Sequence, residues 1–432
     1  MSAGTIGLLL FCVFFFLLFI GSPIMVALGL STFAVYFLVD KDPVMLIQMA
    51  AASLSSFPLM ALPSFILAGA LMEASGMSRR LVLIAEHIVG PLPGGLPVST
   101  ALACVFFGAI SGSGPATTAA VGMLMIPAMM RRGYSKGYAA ATAATAGGVG
   151  IIIPPSIPMV IYGVSSQQSI TKMFIGGIIP GVIIAISLCL LHVFLNYWKG
   201  KGDGLSWSGR ALFHAIRDGF WSILAPVIIL GGIYTGVFTP TEAAVVAIFY
   251  TLFIGIFVHR ELRLRAIMSA LKNTSWLAGR VLIIVFTAYA FGRILTEYRI
   301  PNALAEWVLT FTQNVNVVWL LVVILLIFLG MFMETLALIM LVTPVLLPVM
   351  MAYGVDPIHF GVILVCCCGV GFSTPPMGEN MFIASGIADE SLEAISLKAL
   401  PFVAVNLIAI ALLVTFPKLV LWLPSMLQGV PE

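Results

Sequence analysis

Four short stretches concentrate the residues able to do chemistry: Gly108–Pro115, Gly147–Ser156, Gly330–Thr335 and Gly369–Met377. Each interrupts a long apolar run with glycine, and three of them also with proline. Such breaks leave main-chain N–H and C=O groups without intrahelical partners. Carbonyl oxygens at a terminating helix end suit a small hard cation such as Na⁺. Amide donors and the positive dipole at a starting helix end suit a carboxylate. Ser111, Ser113, Thr117, Thr118, Ser156, Ser373, Thr374 and Asn380 add neutral donors and acceptors; a lone hydroxyl also has the simpler role of bonding its own helix backbone. Two carboxylates stand in or beside the same stretches: Glu334, next to Thr335, and Glu379, four residues past Pro375. Each reads as a cation ligand, a proton carrier, a contact for a substrate amine, or a carboxylate capping a helix N-terminus.

The elements that position these stretches must lie in lipid. Of 432 residues, 61% are hydrophobic and 9% are Asp, Glu, Lys or Arg, against roughly 25% charged in a soluble domain. Irregular backbone at membrane depth survives only where protein, ions or water satisfy it, so the four breaks mark a polar interior. A net charge of +3 argues against a nucleic-acid partner. Cys12, Cys104, Cys189 and the run Cys366-Cys367-Cys368 lie in apolar stretches with no zinc-ligand spacing, and read as small apolar fillers. There is no HExxH pattern, no P-loop and no nucleophile elbow. The chain is therefore not expected to be an enzyme, and energy must come from an ion gradient or another subunit. The N-terminus lacks the charged n-region and cleavage site of a signal peptide and reads as two retained spans.

Runs of about 20 apolar residues predict spans near 4–20, 23–39, 57–75, 137–166, 174–197, 219–237, 240–258, 276–297, 356–387 and 398–423. Those at 137–166 and 356–387 are broken by GGVGIIIPPS and GVGFSTPP. Residues 96–131 and 316–351 are too long for one span and carry a polar kink, SGSG or Glu334-Thr335. They read as re-entrant hairpins of two half-length helices. Residues 43–56, 79–90, 209–217 and 261–273 read as amphipathic helices in the interface. With the N-terminus outside, loops holding Arg79, Arg80, Arg131, Arg132, Arg260 and others fall inside and collect 14 of the 20 Lys and Arg, as the positive-inside rule requires. Both termini are then periplasmic. A shift of 221 residues lays IPAMMRRG at 126–133 over LPVMMAYG at 347–354, and GVGIIIPP at 148–155 over GVGFSTPP at 369–376. Residues 1–200 and 210–432 thus read as two repeats of five spans plus a hairpin. Five is odd, so the second is inverted, as in alternating-access transporters. Among the remaining charges, Glu242 reads as a dipole partner at a helix start, and Arg293 and Glu297 as an i,i+4 pair. Trp198, Trp221, Trp307, Trp319 and Trp422 read as interface-belt residues.

GPLPGGLPVSTALACVFFGAISGSGPATTAAVG at 90–122, GIIIPPSIPMVIYG at 150–163, GIYTGVFTPTEAAVVA at 232–247 and GFSTPPMGENMFIASGIA at 371–388 resemble the large membrane subunit of tripartite ATP-independent periplasmic (TRAP) transporters, the DctM-like family. The resemblance covers essentially the whole chain. It implies an all-α polytopic protein of the bacterial inner membrane that imports organic acids with Na⁺ by an elevator motion. A periplasmic substrate-binding protein would deliver the cargo. A small four-helix membrane subunit would be a separate chain, because no extra four-helix block is present. Carried over by motif, one Na⁺ site involves Gly108, Ser111, Gly150, Ile153 and Pro155. The other involves Gly330, Gly371, Thr374 and Met377, mostly through backbone carbonyls. Ser113, Thr117, Ser156, Glu334, Thr335, Glu379 and Asn380 are the substrate-binding candidates. Glu379 departs from the apolar residue common there in the family, and its charge argues against a simple dicarboxylate. An autonomous Na⁺- or H⁺-coupled anion symporter of related two-hairpin architecture is the competing expectation.

Overall fold

Each apolar run becomes helix, because a segment without water must satisfy its own backbone. The structure is a computed structural model and describes residues 3–40, 42–198, 207–375 and 378–426. The chain opens with α1 (Ala3–Phe19), α2 (Ile24–Leu38) and α3 (Pro43–Leu54), then a 3₁₀ turn at Phe57–Met60 runs into α4 (Ala61–Ala74). α5 (Met77–Val89) leads to α6 (Gly95–Ser111) and α7 (Gly114–Arg131). α8 (Lys136–Gly147), a 3₁₀ turn at Gly148–Ile151 and α9 (Ile157–Ser166) form a broken helix, followed by α10 (Ile170–Tyr197). Next come α11 (Gly209–Tyr234), α12 (Pro240–Phe253) with a π turn at Ile254–Val258, α13 (Leu264–Glu297) and α14 (Ile300–Phe311). α15 (Val315–Gly330), α16 (Thr335–Ala352), the second broken pair α17 (Pro357–Gly371) and α18 (Glu379–Ala388), α19 (Leu392–Thr415) and α20 (Lys418–Met426) complete it. Among the described residues, seven helices are long and apolar enough to cross a bilayer. The protein is an all-helical polytopic membrane protein among the described residues.

The helices pack in two groups. In one, α13 lies along α2, α3 and α4, and α12 pairs with α4. In the other, α7, α8, α18 and α19 pack together, with α10 against α6, α17 and α19. α5 and α14 stand between the groups: α5 touches α11 and α6, and α14 touches α1 and α16. Small residues make the second group tight. In α8 the stretch AAATAATAG is wholly buried, which lets neighbouring backbones approach closely, the arrangement favoured where lipid gives no hydrophobic drive.

Several expectations need correction. The hairpin limbs are not half-length: α6, α7, α15 and α16 have 17, 18, 16 and 18 residues, or about 25 Å each. The turns between them are short, so the limbs run on to the tips. Gly112 turns the chain at φ 59° and Ser113 caps α7 through Ala116 N–H. Residues 209–217 and 261–273 are not separate interfacial helices; they continue into α11 and α13. At the first junction Gly219 stays helical because α5 packs on it, a Cβ there standing 2.5 Å from Ile84 Cδ1. The 34 residues of α13 reach about 51 Å, well past a roughly 30 Å hydrocarbon core. α14 occupies the stretch between the expected span at 276–297 and the expected hairpin at 316–351, and it is anchored by buried Pro301 and Ala305. Trp319 is no belt residue: it is 4% exposed and packs on His359 with ring centroids 5.2 Å apart. Arg293 makes no ion pair with Glu297 among the described residues. Glu242 stands at a helix start as expected: it closes a capping box with Thr239.

One ion-pair knot ties α5 down. The Arg80 guanidinium is nearly buried, donates to Glu261 at 2.9 Å and to Gly76 O at 3.1 Å, and lies 3.3 Å from Asp218 on α11. Beside it, burial and then Arg80 hold His259 below the usual imidazole range. Arg80→Met is expected to cost about 1–2 kcal/mol, less than a fully buried pair because Asp218 and Glu261 keep water contact. A thermal-shift measurement on the purified protein reads this directly.

Candidate functional site

Two glycine contacts organise the centre. Gly108 on α6 lies against Gly150, such that a Cβ on Gly108 would stand 2.6 Å from Gly150 Cα. Gly371 on α17 lies against Gly330, with a Cβ there 3.0 Å from Gly330 C. The two breaks also touch each other, since a Cβ on Gly148 would meet Gly369 O. Only glycine lets two backbones come this close. Hairpin and broken helix therefore meet main chain to main chain, the setting in which carbonyl oxygens can converge on a cation.

Around the first contact the structure gathers Ser111, Thr117 and Pro155. Ser111 Oγ and Thr117 Oγ1 are 3.1 Å apart, and Thr117 donates to Ser113 O at 2.6 Å. A Cβ on Gly150 would collide with Thr117 Oγ1, and one on Gly112 with Pro155 O. Ile153 turns its side chain to Gly181 on α10. Around the second contact, Thr374 donates to Val370 O at 2.7 Å, and its N–H reaches Gly371 O at 3.0 Å. Met377 lies outside the described residues. The oxygen-only donor set suits a hard cation. Thr118 Oγ1, which crowds Gly147, is buried without a hydrogen-bond partner among the described residues, so polar capacity is left over beside this break.

A cavity of ≈110 Å³ lies between the hairpin tips. Its wall contains Gly112–Pro115, Glu334–Leu336, Ile151, Ile157, Pro158, Phe372 and Glu379. Four helices begin there: α7 at Gly114, α9 at Ile157, α16 at Thr335 and α18 at Glu379. Glu334 sits at the N-cap of α16 without a side-chain capping bond, so that carboxylate is not consumed by the helix end. Thr335 Oγ1 is buried and unpartnered among the described residues. The cavity is thus polarised. The α7 and α9 starts carry no carboxylate; the α16 and α18 starts carry two.

Three substrate-binding candidates are elsewhere. Ser156 is fully buried and used as the α9 cap, donating to Ile151 O and accepting from Met159 N–H. Thr117 belongs to the Gly150 cluster. Asn380 is fully buried and donates to Ala144 O on α8 at 3.1 Å. Its direction around α18 differs by about 100° from that of Glu379, and it is not among the residues that line the cavity. Sequence reasoning missed Ile66, Leu277 and Val281, which close the cavity from α4 and α13; apolar residues in apolar helices carry no signal of this role. It also passed over Arg280, which with Glu334 lines an adjoining cavity of ≈460 Å³.

The family model for the tripartite ATP-independent periplasmic transporter, DctM component, matches residues 11–419. The chain belongs to this family. It is 44% identical over 94% of its length to the isethionate TRAP transporter permease protein DctMQ of Oleidesulfovibrio alaskensis, of which it spans 64%. It is 38% identical to the C4-dicarboxylate TRAP transporter large permease protein DctM of Pseudomonas aeruginosa, covering 93% of this chain and 94% of that one. With the sialic acid TRAP transporter large permease protein SiaM of Vibrio cholerae it shares 36% identity over 96% of this chain and 97% of that one. A solved structure, that of the YdaH transporter of Alcanivorax borkumensis, aligns with TM-score 0.63 over 88% of this chain and 89% of that chain at 16% identity. That likeness concerns the fold alone. As a TRAP permease component, the chain is a transporter subunit and not an enzyme.

Proposed function

We propose that this DctM component imports a compact organic acid with Na⁺, and that the ≈110 Å³ cavity between the hairpin tips holds it. The observation that carries the reading is the convergence of four helix starts on one small space. Helix N-termini favour an anion, and the α7 and α9 starts, capped by the neutral Ser113 and Ser156, form a pole without a carboxylate. Glu334 and Glu379 form the opposite pole and accept hydrogen bonds, so the preferred cargo carries one anionic head and a hydroxyl or amino group at its other end. The cavity is smaller than the roughly 300 Å³ at which drug-sized pockets begin. Relatives named for isethionate, C4-dicarboxylates, sialic acid and 2,3-diketo-L-gulonate support an organic-acid cargo; the cavity's size and polarity favour the small hydroxylated end of that range.

Na⁺ binds at the two glycine contacts, through Gly108, Ser111, Gly150, Ile153 and Pro155 in one half and Gly330, Gly371, Thr374 and Met377 in the other. Supporting this, α15 to α19 start 220 to 222 residues after α6 to α10, the spacing expected of two repeats at 1–200 and 210–432. The group containing hairpins and broken helices moves as the elevator against the group around α13, with α5 and α14 as the connecting arms. The arginine-rich loops face the cytoplasm and both termini the periplasm of the inner membrane. A periplasmic binding protein and a separate small membrane subunit complete the system.

Proteoliposome uptake with these partners tests the reading. Uptake is expected to need both an inward Na⁺ gradient and the binding protein. Ser111→Leu and Thr374→Leu are each expected to abolish Na⁺-driven uptake while the protein still inserts. Uptake of free substrate without the binding protein would favour an autonomous symporter instead, and unaltered Na⁺ dependence in both variants would remove the cation assignment.

A further inference from the structure

A second, larger cavity lies in line with the first. It measures ≈570 Å³ and is lined by Ser53, Ser165, Gln168, Tyr289, Arg293 and Thr296 among others. The same four segments wall both spaces. The Phe57–Ala74 stretch passes from Leu59 to Ile66, α9 from Gly163 to Pro158, α13 from Val285 to Val281, and α16 from Met340 to Leu336. On α13 and α16 the two walls are four residues apart, about 6 Å of helix. That intervening turn is packed with apolar side chains: Leu62, Val160, Ile284 and Ile339 are all buried. On the proposed orientation the larger cavity opens to the periplasm, where cargo arrives.

Its chemistry is one-sided. Arg293 is the only charged residue among the described residues that line it, and it appears in no ion pair among them. The α9 C-terminus, which would otherwise offer bare carbonyls, is closed: Gln168 N–H donates to Gly163 O at 2.9 Å and Ser166 Oγ to Tyr162 O at 2.7 Å. Arg293 is exposed on the cavity wall, and a guanidinium that faces a cleft with no carboxylate on its lining raises the local concentration of anions. We propose that Arg293 makes this cavity an anion-capture subsite, where the organic acid waits one helical turn above the hairpin tips. Arg280, thirteen residues earlier on α13 and on the wall of the cavity that shares Glu334, stands about 20 Å away along the helix. One helix thus presents a single arginine above the carboxylate-bearing centre and another below it. The inference rests on the anion-import reading, yet its test does not require transport.

Ser165→Cys puts a thiol on the cavity wall of the full-length protein, with the exposed Cys12 replaced by serine. Labelling rates are compared for an anionic reagent, sulfonatoethyl methanethiosulfonate, and a cationic one, trimethylammonioethyl methanethiosulfonate. Their ratio cancels changes in thiol reactivity. Arg293→Gln is expected to lower the anionic-to-cationic ratio by about fivefold or more at low salt, and Arg293→Lys to restore it. In the uptake assay Arg293→Gln is expected to raise KM and leave the maximal rate unchanged. An unchanged labelling ratio would overturn the subsite. A lowered ratio with an unchanged KM would overturn its part in uptake. Failure of the unsubstituted protein to transport would count against the import reading, and the labelling ratio would still report on Arg293.

Discussion

Gly108→Ala is expected to lower Na⁺-driven uptake by at least ~10-fold, whereas Gly330→Ala leaves it within about twofold, because only the first drives its new Cβ inside contact distance of main chain that cannot move aside. The two glycines occupy matching places in the hairpins, so chemistry alone would rank them equal. Geometry separates them. A Cβ on Gly108 would stand 2.6 Å from Gly150 Cα and 3.3 Å from Gly150 C and O, all main-chain atoms. On Gly330 the nearest atom is Gly371 Cα at 3.4 Å, an ordinary van der Waals contact. The partner in the second contact is the strict one: Gly371→Ala meets three Gly330 backbone atoms at 3.0–3.2 Å and is expected to behave like Gly108→Ala. Uptake against external Na⁺ concentration, with membrane insertion checked by blotting, reads all three. Equal defects in Gly108→Ala and Gly330→Ala would break the link between backbone contact and cation coupling.

The second large effect is expected at the carboxylates. Glu334→Gln should reduce uptake at least ~10-fold, since a buried hydrogen-bonding partner of a charged or polar cargo contributes about 1.5–3 kcal/mol. Glu334 lines both the hairpin-tip cavity and its neighbour with Arg280, so cargo passes it whichever way the space opens. Glu379→Gln should act on selectivity more than on rate. It removes charge from one wall only, and a dicarboxylate such as succinate should then compete better against a hydroxylated monoanion. Competition assays with succinate and isethionate measure this shift. A Glu334→Gln protein with normal uptake and normal selectivity would show the cavity to be bypassed.

The sequence by itself determined that the chain lives in lipid, where its helices break, and which oxygens stand near the breaks. Composition forces the first, and glycine, proline and serine or threonine at Gly108–Pro115 and Gly147–Ser156 force the others, because backbone without water leaves few options. Local patterning also told α3 and α5 apart from the spans. It did not tell where long helices end. No proline stands at either junction, 217–219 or 273–276, so an amphipathic stretch and the span after it merge into α11 and α13. Trp319 has a belt residue's place in the sequence, yet it is buried on His359, since a tryptophan's preference for an interface yields to a partner in the interior.

Only the tertiary structure decided which candidates share a wall. Ser156, Thr117 and Asn380 lie within a few residues of cavity-lining positions, yet Ser156 is used as a cap, Thr117 in a glycine contact, and the Asn380 Nδ2 on α8, with its Oδ1 left without a partner among the described residues. Direction around a helix changes by about 100° per residue, so nearness in sequence does not place two side chains in one space. The apolar closure by Ile66, Leu277 and Val281, and the placing of Arg280 and Arg293 on either side of the centre, come from helices distant in the chain. Their contacts exist only once α4, α9, α13 and α16 pack side by side, and no local pattern encodes that.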